Sequence, residues 1–152
     1  MKIFIHGLES SGSGFKGRFL KEIYTDILTP DFKGDLNERM SSLKRILTDL
    51  DNITIIGSSF GGLMATLYCL EEPEKVSKLI LLAPALPFGK DLLENKNTDI
   101  ETIIYHGKND SVVPMDTTKD ISRKIFSNLL FVETDDDHLL HKTMREINWN
   151  GF

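Results

Sequence analysis

Cysteine is almost absent from this chain: Cys69 is the only one among 152 residues, so no internal disulfide can form. Its helical, apolar setting reads as core filling. Long hydrophobic runs are missing too. The longest, Leu79 to Leu86, falls far short of the roughly 20 residues needed to cross a bilayer. The N-terminus enters a strand-like segment without the apolar stretch of a signal peptide. Positive charge is neither abundant nor clustered. Lys and Arg number 18 against 23 Asp and Glu, giving a net charge of −5, and no basic patch interleaved with aromatics marks a nucleic-acid surface. Internal repeats, low-complexity tracts, linkers and a Walker Gly-Lys-Ser/Thr are likewise missing. These absences lead to one expectation: a single cytoplasmic domain over residues 1–152, of enzyme size, with neither nucleic acid nor membrane as partner.

What is present is an alternation. Five apolar runs recur: Ile3 to Ile5, Ile53 to Ile56, Leu79 to Leu82, Ile103 to Tyr105 and Leu129 to Val132, with a weaker sixth at Ile27-Leu28. They are continuous, not alternating, which implies strands buried on both faces of a parallel sheet. Helical spacing fills the intervals. Phe15, Phe19 and Ile23 recur at i+4, and Leu36, Met40, Leu43, Leu47 and Leu50 trace one face behind a capping box of Asp35 and Glu38. Leu63 to Leu70 is apolar nearly all round; Ile121 with Ile125, and Leu140 with Met144 and Ile147, mark two further helices. The pattern predicts an α/β fold, a three-layer α/β/α sandwich on a doubly wound, mainly parallel, six-stranded sheet. Pro84 to Asp99 is longer than usual for a connection and is expected to cover the site.

Reactive side chains follow the strands. The run Ile53 to Ile56 breaks into Gly57-Ser58-Ser59-Phe60-Gly61, a G-x-S-x-G on a strand-to-helix turn. Such a turn strains the serine backbone and presents its hydroxyl at a helix N-terminus, where free N–H groups favour negative charge. His6-Gly7-Leu8 follows the first strand, His106-Gly107-Lys108-Asn109-Asp110 the fourth, and Asp135-Asp136-Asp137-His138 the last. Acyl transfer needs a base for the serine proton, a carboxylate to fix the base's tautomer, and donors for the oxyanion. The expected assignment is Ser59 as nucleophile, His138 as base and Asp110 as orienting acid. The backbone N–H groups of Phe60 and Leu8 are the expected oxyanion donors.

Each assignment has a plainer rival. His141 lies one helical turn beyond His138. Asp110 could cap the following helix, although Asp116 is better placed for that. The three aspartates read as a solvated turn, since adjacent residues cannot all face one metal ion. His6 and His106 are expected to pack beneath the site. Leu86 and Phe88, with Leu8, are expected to line an acyl pocket or to be simple loop packing. Gly12-Ser13-Gly14-Phe15-Lys16-Gly17 matches the dinucleotide pattern G-x-G-x-x-G letter for letter, but five residues separate it from His6, whereas that fingerprint begins at the strand's end.

The chain order Ser59, Asp110, His138, the two His-Gly turns, G-x-S-x-G and Asp110-Ser111-Val112-Val113-Pro114 together resemble the α/β-hydrolase superfamily. Gly57 to Gly62 with Ala65-Thr66, and the His-Gly…Ser-Ser opening, are similar to the small YqiA-type esterases of bacteria. Relative to that pattern the chain opens directly on the oxyanion-loop strand, without the first two strands, and has no cap domain. The resemblance implies a minimal, lidless serine hydrolase acting on a small carboxylic ester or thioester, with no cofactor or metal required. Acyltransferase, peptidase or lyase chemistry on the same residues, or a non-catalytic binding protein of this fold, are the other readings.

Overall fold

In a computed structural model, which describes residues 1–152, the five strong apolar runs become strands β1 (Lys2–Ile5), β2 (Ile53–Ser58), β3 (Val76–Leu82), β4 (Thr102–Gly107) and β5 (Leu129–Thr134). They form one sheet in the order β1-β2-β3-β4-β5, every pair parallel. The sheet therefore has five strands, not six. Ile27-Leu28 contributes a single parallel bridge from Leu28 to Ile3 beside β1. Only two apolar residues are available there, and Pro30 follows closely, with no N–H to continue a ladder.

Between the strands lie helices α1 (Phe15–Ile23), α2 (Leu36–Leu47), α3 (Phe60–Glu71), α4 (Lys90–Leu93), α5 (Met115–Ile125) and, after β5, α6 (His141–Glu146). Alternate strand residues feed two cores. Ile3, Ile5, Ile55, Leu79, Leu81 and Ile104 pack with α2, α3 and α5. Phe4, Ile56, Ile80 and Leu82 pack on the other face with Leu20 of α1, Met144 of α6 and Trp149. This is why the strands read as unbroken apolar runs. The capping box forms as expected: Asp35 accepts from the Glu38 amide at 2.9 Å and Glu38 from the Asp35 amide at 2.8 Å. Cys69 is buried, and that burial pushes its thiol up to about 11, as suits packing and not reactivity. No helix is long and apolar enough to cross a membrane.

The chain leaves β1 towards the Leu28 bridge, then returns through α2 to β2 on the opposite side. The direction reverses between β1 and β2, so the crevice beyond their carboxyl ends is the place where such sheets bind ligands. Pro84 to Asp99 is anchored to the core at several points. Leu86 and Leu93 are buried in the larger core with Leu63 and Ile121, and Thr98 bridges to Phe126. The segment is held down on α3 and α5 by its own apolar residues.

Candidate active site

Ser59 occupies the sharp turn between β2 and α3. Its φ of 54° and ψ of −117° lie where an L-residue pays about 1–3 kcal/mol in strain. The surroundings hold it there. Its amide donates to the Leu82 carbonyl at 2.9 Å, and its carbonyl accepts from the amides of Gly62, Leu63 and Ala85. The glycines of the motif permit the approach. A Cβ on Gly61 would sit 2.1 Å from the Ile5 carbonyl oxygen, and one on Gly57 2.6 Å from the Gly61 oxygen, so any side chain would push α3 off the sheet.

Two further strand ends converge on this serine. His138 Nε2 lies 3.0 Å from Ser59 Oγ, and His138 Nδ1 lies 2.7 Å from Asp110 Oδ2. With Nδ1–H donating to the carboxylate, Nε2 is left as an acceptor for the serine proton. The Asp110 side chain is fully buried, and its Oδ1 accepts from the amides of Val112 and Val113, both at 2.8 Å. The rival base, His141, packs its ring on Phe15 with centroids 4.1 Å apart.

The two His-Gly histidines do more than fill space. His106 Nε2 lies 3.0 Å from the Val113 carbonyl and 3.2 Å from Asp110 Oδ2. Burial pushes the His106 pKa down, so the ring is neutral with its proton on Nε2. That single N–H reaches both acceptors, and Nδ1 is buried without a partner. Asp110 is thus gripped by two histidines. In β1's loop, the Phe32 amide donates to His6 Nε2 at 2.8 Å, and His6 Nδ1–H therefore donates to the Gly7 carbonyl at 2.6 Å. Because a trans peptide sets its N–H opposite its C=O, this bond fixes the direction of the Leu8 amide. A Cβ on Gly7 would lie 3.4 Å from Ser59 Cβ, which puts this loop against the serine. None of the turn, loop and cap hydrogen bonds uses the Leu8 or Phe60 amide. Two N–H groups are therefore available beside Ser59.

The aspartate run before His138 is not a merely solvated turn. Asp136 Oδ2 accepts from both the amide and the hydroxyl of Thr143, each at 2.8 Å, and its Oδ1 accepts from the Asp137 amide. Burial works against the Asp136 charge, yet these bonds from Thr143 and Asp137 hold its carboxyl below the usual range. Asp137 Oδ1 takes the Leu139 amide at 2.9 Å, and Lys16 Nζ donates to the Leu139 carbonyl at 2.6 Å. The His138 loop is therefore tied to α1 and α6. Sequence spacing alone carried no sign of the Lys16 contact, because Lys16 of α1 lies 123 residues from Leu139. No group of His, Cys, Asp or Glu is arranged to hold a metal ion.

Of the expected pocket wall, Leu86 is 0 % exposed and belongs to the core, while Phe88 is 67 % and Leu8 56 % exposed. An apolar residue next to Pro87 satisfies the pattern equally well in either place. The G-x-G-x-x-G match is a packing device: the Gly12 amide donates to Asp31 at 2.7 Å, and a Cβ on Gly17 would fall 1.9 Å from the Gly12 oxygen. Two surface hollows, about 510 Å³ beside Met1 and Tyr24 and about 670 Å³ beside Lys90 and Ile125, are lined by none of these residues.

A family model described as alpha/beta hydrolase fold matches residues 29–99. No curated protein sequence matches the chain. Among solved structures it is similar to the alpha/beta hydrolase domain-containing protein 10 from mouse, with a TM-score of 0.84 and 17 % identity over 95 % of this chain and 85 % of that one. It is also similar to the esterase EaEST from Exiguobacterium antarcticum, with a TM-score of 0.78 and 17 % identity over 95 % and 87 % of the two chains. Est1E from Butyrivibrio proteoclasticus gives a TM-score of 0.74 and 17 % identity over 95 % and 85 %. The fold is that of the α/β hydrolases.

Proposed function

We propose that this chain, carrying the fold of the α/β hydrolases, is a serine hydrolase that cleaves a small carboxylic ester or thioester through an acyl-enzyme. The observation that carries the reading is the run of contacts from Ser59 Oγ through His138 to Asp110, at 3.0 and 2.7 Å, beside the free amides of Leu8 and Phe60. Ser59 Oγ attacks the carbonyl carbon while its proton passes to His138 Nε2. The tetrahedral oxyanion is held by the two amides, which cost no reorganisation because His6 and the α3 N-terminus already aim them. The leaving alkoxide or thiolate takes the proton from His138. Water, deprotonated by the same nitrogen, then releases the acid. Asp110 keeps the imidazole in the one tautomer that works for both half-reactions.

An acyl substrate is supported by what surrounds the serine. Leu8, Phe88, Val112 and Leu139, all markedly exposed, stand on the loops after β1, β3, β4 and β5, and so share the sheet end that carries Ser59. One of the similar structures, EaEST, is an esterase by name, in keeping with this. The test is Ser59→Ala on a short aryl ester. Hydrolysis should fall by about 10⁴ to 10⁶ in kcat, labelling by a fluorophosphonate should disappear, and the melting temperature should hardly move. Turnover that survives the substitution would end the proposal.

A further inference from the structure

One buried charge takes no part in this chemistry. Arg39, on α2, is only 6 % exposed, yet no ion pair in the molecule includes it. Its Nε donates to the Gly34 carbonyl at 2.9 Å; Nη1 is buried with no partner, and Nη2 makes no hydrogen bond. Nη1, out of water and unpaired, carries a desolvation cost that an anionic partner would offset. The acids nearest in sequence are engaged elsewhere. Asp35 and Glu38 close on each other's backbone in the capping box, and Asp31 accepts from Gly12.

The place of this arginine is informative. Its Cζ stands 5.6 Å from the ring centroid of Phe60, whose amide adjoins Ser59. Its one hydrogen bond goes to the 32–34 segment, where the Phe32 amide holds His6, which in turn holds Gly7. Arg39 therefore abuts the supports of both proposed oxyanion donors. From this we infer that Arg39 recognises an anionic oxyacid group, a carboxylate or phosphate, carried by the substrate near the scissile bond. Guanidinium donors in a low-dielectric wall suit such a group in bidentate geometry. The inference rests on the serine-hydrolase reading for its substrate but not for its binding site. Since the chain's net charge is −5, its overall field repels anions, and a preference for a charged ligand would have to arise locally.

The experiment measures a ratio. The mono-p-nitrophenyl ester of adipic acid is compared with p-nitrophenyl hexanoate, and 4-acetoxybenzoate with 4-acetoxybenzamide, so that the charge lies on the acyl or the leaving side. In the wild type, kcat/KM should favour the anionic member of at least one pair by about 10- to 100-fold, the span of a charge-assisted hydrogen bond. Arg39→Gln should bring that ratio near unity, and Arg39→Lys should retain part of it. Equal handling of both members by the wild type, or an undiminished ratio in Arg39→Gln, would overturn the inference. A uniform loss on both members would do so too, since it would make Arg39 a structural or general electrostatic group. Binding to the Ser59→Ala protein separates this from catalysis. The monoanilide of adipic acid is titrated against hexananilide, and 4-acetamidobenzoate against 4-acetamidobenzamide. Preferential binding of an acid by the Ser59→Ala protein, together with a wild type that turns over no ester, would sink the hydrolase reading and uphold Arg39. Equal binding within both pairs would sink Arg39 alone, even if Arg39→Gln fails to fold.

Discussion

Asp110→Asn changes one acceptor oxygen into an NH₂ at nearly constant shape, and the structure says what must follow. Four N–H groups converge on the carboxylate: the Val112 and Val113 amides on Oδ1, and His138 Nδ1 and His106 Nε2 on Oδ2. An amide has only one acceptor oxygen, so one of these pairs must face an NH₂. The backbone amides cannot turn away, and the oxygen will stay with them. The NH₂ then faces both histidines. His106 retains the Val113 carbonyl at 3.0 Å and loses little. His138 can keep a hydrogen bond only by presenting a bare Nδ1, which moves its proton to Nε2. That is the atom that has to accept the Ser59 proton. Such a tautomer inversion costs about 10⁴ in kcat in the Ser-His-Asp case, or about 5 kcal/mol in the barrier. Stability should fall by about 1–3 kcal/mol, the cost of one poorly paired buried group. The assay is kcat on a short aryl ester beside urea unfolding, with imidazole ¹⁵N shifts to read the tautomer. A folded Asp110→Asn protein that keeps more than about a tenth of wild-type kcat would refute the reasoning.

The rival histidines separate cleanly: His138→Ala should abolish ester hydrolysis, while His141→Ala should cost only the packing on Phe15, and a dead His141→Ala enzyme would reverse the assignment. Leu86→Ala should lose about 2–5 kcal/mol by denaturant unfolding, as large-to-small changes in a packed core do, whereas Phe88→Ala at an exposed position should stay within about 0.5 kcal/mol. Burial depresses Lys16 from 10.5 to about 8, against the opposing pull of Asp136 and Asp137. Between those two values the unfolded chain binds the proton more tightly than the folded one, so folding is favoured as pH rises through that window. The stability of wild type minus Lys16→Met, measured in urea, should therefore climb from pH 8 to 10.5. A flat difference would show that the ammonium is better solvated than its contact with Leu139 implies.

Much of the architecture was legible because it is local. A continuous run such as Ile53 to Ile56 shows in its own residue types that both its faces are buried, and the Asp35–Glu38 box must start a helix, since its two partners lie within a few residues. The elbow was legible too. A serine at positive φ between β2 and α3 needs small neighbours, and Gly57 and Gly61 are visible as letters. Ile27-Leu28 misled because apolar character says that a residue hides, not whether a ladder forms beside it. Leu86 misled for the same reason.

What the linear chain determined by itself was the parallel α/β arrangement and the set of reactive groups delivered to one end of the sheet, through hydrophobic period, glycine spacing and residue order. Only the tertiary structure decided which groups meet. Contacts between Ser59 and His138, between His106 and Asp110, and between Phe32 and His6 depend on how separate strands and loops pack. The idle guanidinium of Arg39 also became visible only there. A periodicity records how each segment faces the core, whereas a hydrogen bond across the fold depends on the relative placement of two segments, which no single stretch of sequence contains.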